Sequence, residues 1–178
     1  MPRRFVAVWP PDDVLDRVAE LVRPEVEGLR WTRREQWHVT LRFLGQVPQV
    51  EPVAEALSGV DVSGPATAVL GPTVGRFGQR VLHVPVAGLE GVAAAVVGRT
   101  AHLGRPPEDR PFTGHITLAR AGKTGRPDLR SVDGAPVEAR WEVDAVSLVQ
   151  SSLSRAGAGY EIVERFPLRG PDRQHPPS

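Results

Sequence analysis

The tetrapeptide His38-Val39-Thr40-Leu41 returns as His115-Ile116-Thr117-Leu118, and the two histidines are separated by close to half of the 178-residue chain. Each copy lies in an apolar run that reads as a strand and follows turn or helix material. An echo at that spacing is what a duplicated half-domain leaves in a sequence. In a strand, successive side chains point to opposite faces. His38 and Thr40 therefore share one face while Val39 and Leu41 turn to the core, and His115 and Thr117 stand in the same relation to Ile116 and Leu118. Halves packed about a pseudo-twofold axis bring both imidazoles and both hydroxyls into one cleft.

The rest of the chain fits that plan. Phe5 to Trp9 reads as a buried strand stopped by Pro10-Pro11. A helix follows from an N-cap at Asp12 or Asp13 to about Val22, with Val14, Leu15, Val18, Leu21 and Val22 on one face. Leu29 to Thr32 and Trp37 to Leu44 read as strands, and a helix over Val50 to Leu57 comes next. Ala66 to Leu70 and Val81 to Val86 are strands around a Gly-rich turn at Gly75 to Gly78. Leu89 to Leu103 has helical period. Phe112 to Arg120 is a strand, and residues 121–138 form a Gly/Pro/Asp-rich connection. Trp141 to Gln150 and Tyr160 to Leu168 close the chain as two strands. The tail from Gly170 to Ser178 is polar and Pro-rich and is expected to be disordered. No regular βα beat and no Gly-x-Gly-x-x-Gly motif occurs. The expectation is an α+β, bilobal fold of two pseudo-twofold-related halves, with antiparallel sheets lining a central cleft and helices outside. Residues 1–169 would form a single domain.

Composition removes several chemistries. There is no cysteine, which excludes disulfides, thiolate metal sites and cysteine nucleophiles. The acidic residues form no ligand cluster with the histidines, so no metal and no cofactor is expected. The longest apolar stretches, such as Val92 to Val97, are far shorter than the ~18–20 residues of a membrane span. The N-terminal residues lack a signal-peptide pattern, so a soluble, cytoplasmic protein without a membrane partner is expected, and nothing calls for an obligate assembly beyond a monomer. Basic and acidic residues balance at 22 against 21. The basic set holds a single lysine, Lys123, the remainder being arginine. GC-rich codon usage accounts for most of them, and phosphate reading is the alternative for any that face the cleft.

Two imidazoles across a cleft supply a general base and a general acid near neutral pH. Two threonine hydroxyls can hydrogen-bond the non-bridging oxygens of a phosphate held between them. Together they form an apparatus for in-line attack on a phosphodiester. A single His-x-Thr in a strand is unremarkable; two strand-placed copies at half-chain spacing are not.

The segments from His38 to Gly45 (His-Val-Thr-Leu-Arg-Phe-Leu-Gly) and Phe112 to Arg120 (Phe-Thr-Gly-His-Ile-Thr-Leu-Ala-Arg) resemble the 2H phosphoesterase superfamily. Within it the chain is most similar to the RNA 2′,3′-cyclic phosphodiesterases, historically called 2′-5′ RNA ligases. The likeness extends over Phe5 to Pro10, Arg30-Trp31, Gly75-Arg76-Phe77, Ser152-Leu153 through Tyr160, and Phe166-Pro167-Leu168. It implies an enzyme that hydrolyses the 2′,3′-cyclic phosphate of RNA ends or nucleotides to a 2′-phosphate. It also implies that His115 activates water and His38 protonates the departing 3′ oxygen. One departure is Gly114, where the family usually has proline; glycine is expected to loosen the entry to His115.

Substrate-binding candidates beyond Thr40 and Thr117 are Arg42, Arg120 and Phe43. Simple alternation puts Arg42 on the face of His38 and Thr40. It puts Arg120 on the opposite face from His115; the resemblance implies that Arg120 still reaches the substrate, which requires a twist or bulge. Phe43, at the equivalent offset in the first motif, is a candidate to stack on a base, with core packing the competing reading. Trp31 and Phe77 are read first as core. His83, His102 and His175 have no partner pattern, and His83 is read as structural. Two alternatives stand beside hydrolysis: ligation in the same site, disfavoured against water at ~55 M, and a non-catalytic RNA-end binding module.

Overall fold

A computed structural model describes residues 2–62 and 66–168; the expected disorder of Gly170 to Ser178 concerns residues outside that range. Among the described residues, ten strands and three α-helices alternate along the chain. The order is β1 (Arg3–Val8), α1 (Asp12–Ala19), β2 (Leu29–Trp31), β3 (Val39–Gln46), α2 (Glu51–Ser58), β4 (Ala66–Leu70), β5 (Gly75–Phe77), β6 (Val81–Ala87), α3 (Glu90–Thr100), β7 (His115–Ala121), β8 (Ala139–Val143), β9 (Ala145–Ser154) and β10 (Gly157–Pro167). A short 3-10 turn, Arg34–Gln36, precedes the first motif.

Every pairing between named strands is antiparallel. The strand order β10-β9-β1-β3-β7-β6-β4-β8 divides at its centre, where β3 and β7 touch through the single pair Val39–Ile116. On one side lie β3, β1, β9 and β10; on the other lie β7, β6, β4 and β8. Each lobe repeats one unit: a central strand, a helix, then the strand that starts at or just after the histidine (β1-α1 to β3, with β2 between, and β6-α3-β7). Few backbone bonds hold β3 to β7, so the two lobes diverge there and open the groove. This is the bilobal α+β architecture that the repeated motif implies.

Packing explains the elements. In α1, Val14, Leu15 and Val18 are buried, and Asp12 and Asp13 lie in the first turn, where the helix dipole favours negative charge. The helix stops at Ala19, and Val22 is 79% exposed rather than on the packed face. Helix α3 buries Val92, Ala93 and Val96 and ends at Thr100, short of Leu103. The expected strand Trp141 to Gln150 is two strands. Its first part, β8, pairs with β4, while β9 pairs with β1, so the chain changes lobes at Asp144. The apolar run continues through this crossing because both flanking segments enter the one core, and periodicity alone gave no sign of it. Gly75–Phe77 is a strand paired to β6 rather than only a turn. One large core runs under both lobes. A smaller cluster of Phe5, Ala7 and Val149, with Trp9 and Tyr160 against it, lies beneath the first histidine.

Candidate active site

His38 stands at the mouth of β3 in an aromatic enclosure. Its ring stacks on Trp9 (centroids 4.9 Å apart), lies against Phe5 (5.0 Å) and meets the edge of Tyr160 (5.1 Å). Its Nδ1 is 2.7 Å from the carbonyl of Gln36, two residues back. A carbonyl only accepts, so Nδ1 carries the hydrogen and Nε2 keeps its lone pair. That Nε2 accepts from the Thr40 hydroxyl at 3.1 Å. Burial holds the imidazole down to about 4; the Gln36 carbonyl acts in the opposite direction, and the positive charges of His115 and Arg120 add to the lowering.

His115 repeats the arrangement. Its Nδ1 is 2.8 Å from the carbonyl of Thr113, again two residues back, which leaves Nε2 with its lone pair. Its surroundings are more open: Phe77 meets the ring edge-on at 4.9 Å and His83 at 5.6 Å. Its pKa is lowered from 6.5, first by burial and then by Arg120 and Arg110, against the Thr113 hydrogen bond. Gly114 does not loosen this joint. A Cβ there would lie 2.3 Å from the Val86 carbonyl oxygen, and the Val86 N–H donates to the Gly114 carbonyl at 2.9 Å. Glycine is present because two backbones meet at this point, and the contact fixes the approach to His115.

Beyond each threonine the strand alternation breaks, at the same place in both motifs. On β3, Ala7 opposes Thr40 and Val6 opposes Arg42, leaving Leu41 as the extra residue of a bulge. On β7, His83 opposes Thr117 and Leu82 opposes Ala119, leaving Leu118 as the extra residue. A bulge reverses the faces of everything after it. Arg120 therefore joins His115 and Thr117 on the groove, and Phe43 joins His38 and Thr40 there. The same reversal corrects the expectation for Arg42. Arg42 turns away from the groove, is 5% exposed, and donates to the carbonyls of Phe43, Thr100, Leu103 and Arg105 at 3.3, 3.5, 3.3 and 2.6 Å. It closes the C-terminal end of α3 and the loop after it. Phe43 is 39% exposed, so it is a groove residue rather than a core one.

The bulge in β7 has its own support. The Thr32 hydroxyl lies 2.8 Å from the carbonyls of both Thr117 and Leu118, and accepts the indole N–H of buried Trp37 at 3.0 Å. A residue just ahead of the first histidine thus braces the strand of the second. Thr32 was invisible to sequence reasoning, as were Tyr160 and Phe5 as walls of His38, because only pairing across four strands brings them near. Trp31 packs on the core and donates to the Pro24 carbonyl at 2.9 Å. Phe77 flanks the groove, stacked on His83 at 3.9 Å.

The groove has a volume of about 680 Å³ and is lined from both lobes by His38, Thr40, Phe43, His115, Thr117 and Arg120. Arg3, Gln46, Gln150, Ser151 and Tyr160 extend it along the first lobe. That space exceeds what a lone phosphate needs. Among the described residues no group of three His, Asp or Glu is placed to hold a metal ion, and no helix is long and apolar enough to cross a membrane.

The family model described as LigT like Phosphoesterase matches residues 8–81 and 85–160. A Thermus thermophilus relative named RNA 2′,3′-cyclic phosphodiesterase is 34% identical over 186 residues, covering 94% of this chain and 91% of its own. A Geobacillus stearothermophilus relative of the same name is 30% identical over 153 residues and 79% of this chain; the chain spans about half the length of that relative (48%). Among solved structures, TT0787 of Thermus thermophilus superimposes with a TM-score of 0.80 at 32% identity, covering 97% of this chain and all of the other. Escherichia coli LigT complexed with 3′-AMP gives a TM-score of 0.72 at 26% identity, covering 94% and 99%. With the double motif and its two lobes, these matches establish that the chain belongs to the LigT-like phosphoesterase family, within the 2H superfamily.

Proposed function

We propose that this protein is an RNA 2′,3′-cyclic phosphodiesterase that opens the cyclic phosphate of RNA ends or nucleotides to a 2′-phosphate without a metal ion. The carrying observation is the twofold repetition of one device: an imidazole locked at Nδ1 by the carbonyl two residues back. Each leaves Nε2 for proton transfer on a shared groove with a threonine two residues on. In this reading Thr40 and Thr117 hold the non-bridging oxygens and Arg120 offsets their charge. His115 takes a proton from water as the water oxygen attacks phosphorus. The P–O3′ bond breaks opposite, and His38 delivers a proton to the departing O3′. Phe43 offers its exposed ring to a base. The proton must sit on His38 at that moment. Its low pKa in the substrate-free protein makes that form scarce until a phosphate anion beside Thr40 raises it.

The burial that holds His38 neutral down to about 4 favours a second reading of the roles, in which His38 is the base and His115 the acid. A substrate with sulfur in place of the leaving 3′ oxygen separates the two. Thiolate departs without protonation, so the variant lacking the acid is rescued and the variant lacking the base is not. Turnover of a 2′,3′-cyclic nucleotide in excess chelator tests the function itself; no turnover there, with both histidines intact, refutes it. Both imidazoles and both hydroxyls come from one chain, which supports action as a monomer. Activity that tracks a dimer peak in size-exclusion chromatography contradicts the monomer.

A further inference from the structure

The pairing of β3 with β1 shifts a second time beyond Phe43. Phe5 opposes Phe43 and Arg4 opposes Gly45, leaving Leu44 as an extra residue, with Gly45 at a φ of +71°. This bulge returns Gln46 to the groove face, directly opposite Arg3, and both line the groove. On its other side Arg3 opposes Ser151 of β9, a further groove residue whose hydroxyl donates to the Arg3 carbonyl at 3.4 Å. The first lobe thus presents three rows in succession: Thr40 opposite Ala7, Phe43 opposite Phe5, then Arg3 between Gln46 and Ser151. At ~3.4 Å per residue, Arg3 stands ~14 Å along β1 from the Thr40 row, too far to share a phosphate held there. Its side chain is exposed and has no ion pair or hydrogen bond among the described residues. Neighbouring Arg4, by contrast, is buried and donates to the Val47 carbonyl and, at 3.1 Å, to Gln150.

Resting on the phosphodiesterase reading above, in which a base stacks on Phe43, we infer that Arg3 and Gln46 read the edge of that base and favour guanine at the reacting nucleotide. A base lying on the Phe43 ring, with its cyclic phosphate at the Thr40 row, turns an edge toward the third row. Guanine presents two neighbouring acceptors there, N7 and O6, and the arginine fork donates to both at once. Gln46, an acceptor as well as a donor, can take the N1–H beside O6. Adenine places an amino donor where guanine has O6, so it meets the guanidinium donor to donor, and a pyrimidine has no N7. A backbone phosphate would also attract Arg3. The row, however, adds an amide and a hydroxyl to that one cation rather than a second charge, which suits a neutral base edge better.

The test compares kcat/KM for the 2′,3′-cyclic phosphates of guanosine, adenosine, cytidine and uridine. The guanosine substrate is expected to lead the adenosine one by about tenfold, the size of one bidentate base contact. Arg3→Ala should bring guanosine down to the level of adenosine and leave the other three unchanged. Arg3→Lys should restore only part of the lead, because an ammonium lacks the fork. Gln46→Glu, which sets a carboxylate directly across from Arg3, should erase the lead as Arg3→Ala does. No guanine lead in the wild type, or a lead that survives Arg3→Ala, overturns the inference. So does an equal loss on all four bases, which assigns Arg3 to the sugar, or a loss seen only with 5′-phosphorylated substrates, which assigns it to the backbone. Calorimetric binding of guanosine 2′-phosphate against adenosine 2′-phosphate reads the same ranking without turnover. That ranking in a protein that hydrolyses none of the four refutes the phosphodiesterase reading and keeps the subsite; equal binding of the two overturns the subsite.

Discussion

At the scale of single residues, the proposed chemistry depends on which nitrogen of each histidine is free. Gln36 and Thr113 occupy both Nδ1 atoms, so a variant that keeps a ring but moves its hydrogen-bonding nitrogen is as damaging as one without a ring. His38→Ala and His115→Ala are each expected to lower kcat by at least about 10²–10⁴, the value of general acid or base help. The double variant should be far from additive in single-turnover kinetics, since either loss already disables the pair. Near-normal turnover of one single variant removes that residue from the mechanism. Thr40→Ala and Thr117→Ala should cost about 1–3 kcal/mol each in kcat/KM, through a lost bond to charged oxygen. The pH profile of kcat/KM, which reports the free enzyme, should be a bell lying on the acidic side of neutrality, because His38 is held at about 4 and His115 below 6.5. A profile rising monotonically from about pH 5 to 9 contradicts the two-imidazole scheme. These residues were legible in the sequence because a two-residue period in a strand is a local property.

At the scale of elements, the two bulges decide which side chains reach the groove. Alternation alone selected Arg42 and rejected Arg120, and the residue inserted just after each threonine, Leu41 and Leu118, reverses both. Nothing in Leu41 or Leu118 announces a bulge; the register arises from pairing with β1 and β6. Thr32→Val removes the hydroxyl whose one hydrogen is shared between the two carbonyls at the β7 bulge and leaves Trp37 without its acceptor, while the Thr32 N–H bond to the Leu118 carbonyl remains. A stability loss of about 1–3 kcal/mol is expected in urea unfolding, together with a raised KM because Thr117 and Arg120 lose their register. Unchanged KM at unchanged stability would show that the bulge stands without it. Arg42→Ala should instead cost about 2–3 kcal/mol of stability with kcat within a few-fold of the parent, since its guanidinium serves the end of α3. Loss of activity without loss of stability would return Arg42 to the groove.

At the scale of the whole molecule, two lobes joined through Val39 and Ile116 make a groove that the chain buries its own histidines to build. His38 and His83 sit at about 4 against an ordinary 6.5, so the unfolded chain takes up protons first as pH falls. Their neutral burial is fully accommodated above pH 6.5 and becomes a progressive loss of stability as pH falls toward 4. Thermal melts should show Tm falling across that window, and less steeply in His83→Phe; a flat Tm from about pH 7 to 4.5 would contradict the burial. The duplicated α+β plan, the faces of His38, Thr40, His115 and Thr117, and the absence of thiol chemistry could all be read from the chain before it was folded, because period-two patterning and residue inventory are written locally. The crossing of lobes at Asp144, the aromatic walls around His38, the pinning of Gly114, and the exchange of Arg42 for Phe43 and Arg120 emerged only on folding. They follow from strand register and from backbone contacts between segments far apart in the chain, and no local pattern encodes such distances.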